Sequence, residues 1–71
     1  MVKTKLTGAQ IQELNTLVEA DTRANPYIRN GQSYFNNLCE ISPETAEEIR
    51  GTSVDPFYND TIIGEFFQAI I

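Results

Sequence analysis

One cysteine and a few paired carboxylates are the groups in this chain to consider first for covalent or acid/base chemistry. Cys39 needs a base to become a nucleophilic thiolate, and the sequence holds no histidine to serve as one. It follows Leu38 on an apolar helical stripe, so a buried core thiol is expected. Glu44 with Glu48, and Asp55 with Asp60, form pairs that acid/base catalysis can use, yet the same residues serve as solvated helix face and helix caps. Asp55, Asn59 and Asp60 are reminiscent of part of a calcium loop, but its glycine and distal bidentate glutamate are missing at the required spacing. The four glycines are dispersed, so no phosphate cradle is indicated. No cofactor or metal is implied, and an enzyme is not expected.

Binding chemistry is better represented. Glu40, Glu44, Glu47, Glu48, Asp55 and Asp60 place six of the ten acids within twenty-one residues, an anionic surface suited to a basic protein groove. Phe57 and Tyr58 sit in a turn that has no local need of two aromatics. They serve either as contact anchors or as a plug for the end of a helical core. Partner-binding residues are therefore expected among Glu44, Glu47, Glu48, Asp55, Phe57 and Tyr58. A net charge of −5 repels phosphate backbones, which argues against direct nucleic-acid binding.

These residues need elements to position them. Thr7 and Gln10 make a capping-box pattern flanked by Leu6 and Ile11, so a first helix starts there, with Ile11, Leu14, Leu17 and Val18 on its apolar face. It fades near Thr22 to Ala24. Asn25 and Pro26 suit the N-cap and first position of a second helix running to about Glu40, with Ile28, Gly31, Phe35 and Leu38 on one stripe and Tyr34 and Cys39 at its margins. Gly31 is costly in a helix interior, so either another backbone approaches it or the helix begins at Asn30. Ser42 and Pro43 start a short third helix that turns Ala46 and Ile49 inward and Glu44, Glu47 and Glu48 outward, and Gly51 ends it in the left-handed conformation. Asp55 to Asp60 form a turn, with Asn59 or Asp60 capping a last helix from Thr61. Ile62, Ile63, Phe66, Phe67 and Ile70 give that helix a broad apolar face, so Ile63, Phe66, Phe67 and Ile70 are candidates for self-association.

Residues 1–71 are expected to form one all-α domain, a compact bundle of three to four short helices, with the segment before Thr7 at most a short extended arm. No run approaches the roughly 18 apolar residues of a membrane span, and the N-terminus lacks the apolar core of a signal peptide. A cytoplasmic, reducing setting without membrane contact is the expectation.

Arg29-Asn30-Gly31-Gln32 through Phe35-Asn36, then Pro43 to Ile49, Gly51-Thr52 and Asp55-Pro56-Phe57-Tyr58-Asn59-Asp60, resemble a group of small uncharacterised phage and prophage proteins. These share an Arg-x-Gly-Gln-x-x-Phe-Asn stretch and an Asp-Pro-Phe-Tyr-x-Asp turn. The resemblance covers residues 25–67 and implies a phage or mobile-element setting, without a function of its own. In that setting the leading expectation is stoichiometric inhibition or modulation of a host protein, one with a basic surface. The alternative is an assembly accessory acting as a homodimer or other small homo-oligomer. Arg29, Gln32 and Asn36, spaced along one helical face, are expected to hydrogen-bond the Asp55 to Asp60 turn.

Overall fold

The computed structural model describes residues 2–71, and every regular element in them is helical. Helix α1 spans Gly8–Ala24, α2 Asn30–Ile41, α3 Pro43–Ile49 and α4 Ile63–Ile70, with a 3-10 turn at Asp60–Ile62 leading into α4. Three of the starts follow local capping chemistry. Thr7 Oγ1 accepts from the Gln10 N–H at 3.2 Å while Gln10 Oε1 accepts from the Thr7 N–H at 2.9 Å, the reciprocal pair that fixes the start of α1. Ser42 caps α3 ahead of Pro43, and Asn59 caps the 3-10 turn by accepting from the Thr61 N–H. Gly51, at φ 75°, follows α3 in the left-handed region.

Helix α2 begins at Asn30, the later of the two expected starts, and not at Asn25-Pro26. Asn25 turns its side-chain oxygen to the Tyr27 N–H and its carbonyl to the Ile28 N–H, closing a turn instead of opening a helix. Arg29 occupies the N-cap position without a side-chain cap bond. The missing cap arrives from elsewhere in the chain: Asp60 Oδ1 accepts from the Gly31 N–H at 3.0 Å. A carboxylate at the positive end of the helix dipole does the work of a local cap.

The core gathers Leu6, Leu14 and Val18, then Phe35 and Leu38 from α2, Ala46 and Ile49 from α3, and Phe66 and Ile70 from α4. Helix α2 is its centre, packed against α1, α3 and the 3-10 turn, with the Tyr34 ring 5.2 Å from that of Phe67. Beneath α1 and α2 lies a polar joint with no obvious trace in the sequence. Asp21 Oδ2 accepts from Ser33 Oγ at 3.0 Å and from Asn37 Nδ2 at 2.7 Å, satisfying two buried side chains.

The short arm before α1 is docked. Leu6 N–H donates to the Ile70 carbonyl at 2.8 Å, Lys5 Nζ donates to the Ala69 carbonyl, and Thr45 Oγ1 donates to the Thr4 carbonyl. Glu48 Oε1 accepts from the Lys3 and Thr4 N–H groups at 3.0 and 2.9 Å. The arm therefore ties α3 to the end of α4.

Candidate functional site

The segment from Arg50 to Asn59 is irregular in path but bonded at nearly every step. Thr52 N–H and Thr52 Oγ1 both donate to the Ile49 carbonyl, and Asp55 N–H donates to the Thr52 carbonyl. Asp55 then holds two amides at once, with Oδ2 accepting from Gly51 N–H at 2.7 Å and Oδ1 from Phe57 N–H at 2.9 Å. Pro56 is buried, its carbonyl accepts from Asn59 N–H, and the Arg29 guanidinium donates to the Phe57 carbonyl. Asp60 completes the anchorage at Gly31. A turn held from both ends has little conformational freedom left to lose on binding.

What this turn presents is aromatic. Phe57 is half-buried, edge-on to Phe35 with ring centroids 5.9 Å apart. Tyr58 packs edge-on to Phe57 at 4.8 Å and remains 83% exposed. Between the turn and α2 lies an open cleft of about 550 Å³, floored by Phe35, Asn36 and Cys39 and walled by Arg50 to Thr52, Asp55, Phe57 and Tyr58. The Arg50 guanidinium carbon stands 5.1 Å from the centre of the Phe35 ring, and its Nε donates to Glu47 Oε1 at 2.8 Å. This hydrogen bond to a carboxylate raises the Arg50 pKa above its ordinary value.

The candidate residues separate in space. Asp55, Phe57 and Tyr58 meet at the cleft, and Glu47 reaches its edge through Arg50. Glu44 is exposed on the first turn of α3. Glu48 does not point outward as expected. It is half-buried because its carboxylate answers the two arm amides, which would otherwise lack a protein acceptor. Cys39 is half-buried at the cleft floor and not in the sealed core, since the loop after α3 leaves that side of α2 open. Gln32 and Asn36 make no hydrogen bond to the turn among the described residues; Arg29 and the Gly31 backbone do that work.

On α4, Phe66 and Ile70 are fully buried inside the chain, which removes them as self-association contacts; Ile63 and Phe67 are half-buried. Both Asp55 oxygens, Asn59 Oδ1 and Asp60 Oδ1 accept donors of the chain itself. One exposed aromatic escaped the sequence reading. Tyr27 is 93% exposed, two residues before the Arg29 that donates to the Phe57 carbonyl. Its only signal is an aromatic directly after Asn-Pro in a turn.

No family model matches this chain, and no curated protein or solved structure matches it either.

Proposed function

We propose that this chain acts by binding a host protein stoichiometrically, in a phage or prophage setting, and that the contact surface is the cleft together with Tyr58. The observation that carries the reading is the pairing of exposure with fixation. Tyr58 leaves 83% of its surface in water on a turn anchored by Arg29, Asp55 and Asp60. A preorganised aromatic beside a cleft is the usual form of a binding hot spot, because its contact area is gained with little ordering cost. Glu40, Glu44 and Glu47 are exposed and supply a field that steers a basic partner surface. The resemblance of residues 25–67 to small phage proteins supports a host target, and inhibition or modulation by surface coverage suits an 8.0 kDa chain.

Affinity capture from a bacterial host lysate, quantified by mass spectrometry at low and moderate salt, tests the reading. One protein should be enriched in near-equal amount by the wild-type chain and by a Gln12→Ala control on exposed α1, and lost with Tyr58→Ala. If no captured protein depends on Tyr58, the turn is not the contact surface.

A further inference from the structure

Several polar side chains of the cleft are engaged within the chain and others are not. On the acceptor side, both Asp55 oxygens hold backbone amides. Thr52 Oγ1 donates to the Ile49 carbonyl and accepts from the Val54 N–H, and Glu47 Oε1 holds Arg50 Nε. On the donor side, the two terminal amino groups of Arg50, the Asn36 amide and the Tyr58 hydroxyl make no hydrogen bond among the described residues, although all three residues line the cleft. These donors belong to exposed residues of an open cleft and are available to acceptors that a ligand brings.

Arg50 is also prepared for one kind of acceptor. With Nε tied to Glu47 and the guanidinium over the Phe35 ring, the edge carrying both terminal amino groups remains available. That edge is a planar fork whose spacing matches the two oxygens of a carboxylate. Phe57 and Tyr58 offer apolar walls for the aliphatic stem behind such a group. The net charge of −5 disfavours free polyanions, whereas a carboxylate flanked by basic residues suits a chain whose exposed acids include Glu40, Glu44 and Glu47.

We propose that the Arg50 fork, with Asn36 beside it, is a carboxylate-binding site that takes an acidic side chain flanked by basic residues on the partner protein. The inference rests on the protein-binding reading and names what that surface recognises.

The test is a titration of the labelled full chain with two blocked peptides, acetyl-Arg-Glu-Arg-amide and acetyl-Arg-Gln-Arg-amide, following the Arg50 Nε–H and Asn36 side-chain amide resonances. Sodium acetate and inorganic phosphate serve as separate probes. The glutamate peptide should shift both resonances and bind about tenfold or more tightly than the glutamine peptide, which keeps the shape but loses the charged fork partner. Arg50→Lys, which keeps the charge but not the fork, should lose that preference while its backbone spectrum stays that of the folded chain; Asn36→Ala should weaken it. Equal binding of the two peptides, or a preference that survives Arg50→Lys, overturns the proposal. So does phosphate binding as tightly as the glutamate peptide, since the site would then be a general anion site. Failure here with Tyr58-dependent capture intact would sink the carboxylate site alone; loss of that dependence would sink the protein-binding reading.

Discussion

At Gly31 an added Cβ would overlap the Pro56 carbonyl oxygen and lie 2.9 Å from Asp60 Oδ1. Alanine improves helix propensity by about 1 kcal/mol, but here it must displace a backbone carbonyl in an anchored turn. Gly31→Ala is therefore expected to destabilise the chain by about 1–3 kcal/mol, read as a lower urea midpoint. An unchanged or raised midpoint would show that the turn is not seated on α2. Asp21 sets a second test, because its removal strips an acceptor from Ser33, which is fully buried, and from Asn37. Asp21→Ala should cost about 1–3 kcal/mol in the same measurement. Gly31 is legible in the sequence as an anomaly in a helical stripe. Its partner is not, since Asp60 and Pro56 arrive from more than twenty residues away. Ser33 and Asn37 are four apart on α2, a spacing that marks a shared face, but nothing local says that Asp21 will meet them.

Elements whose start is decided by neighbouring residues are readable in the chain. Thr7 with Gln10, Ser42 with Pro43, Asn59 and Gly51 all do what their types dictate, because caps and left-handed glycines act over three or four residues. Helix α2 escapes that logic because its cap is Asp60, and the arm escapes it because Glu48 fixes it from α3. Glu48→Ala should accordingly speed hydrogen exchange at the Lys3 and Thr4 amides and cost about 1 kcal/mol, with little effect on exchange in α2. Slow, wild-type exchange at those two amides would mean the arm is held without Glu48. The acidic face of the chain is thus smaller than a count of acids implies. Glu48, Asp55 and Asp60 serve backbone amides, and Glu40, Glu44 and Glu47 remain exposed for steering, with Glu47 paired to Arg50.

For the whole molecule, the burial of Phe66 and Ile70 narrows the apolar face that α4 offers a second copy to the half-buried Ile63 and Phe67. Sedimentation at tens of micromolar is expected to give a monomer of 8.0 kDa; a stable dimer would favour the assembly reading. Among the described residues no helix is long and apolar enough to cross a membrane. Glu40→Lys with Glu44→Lys should slow association with a basic partner and flatten its salt dependence while leaving dissociation nearly unchanged, as long-range charge acts mainly on encounter. The cleft itself is only partly visible from sequence: Asp55, Phe57 and Tyr58 stand together in the chain, but Phe35, Asn36 and Cys39 join them through packing alone. The central claim, that the anchored turn and cleft are the contact surface, is tested most directly by the dissociation constant of the captured partner for wild-type and Tyr58→Ala chains of equal unfolding midpoint. A hot-spot tyrosine predicts a loss of about 2 kcal/mol or more, roughly 30-fold in affinity. Equal dissociation constants for the two folded chains would contradict it.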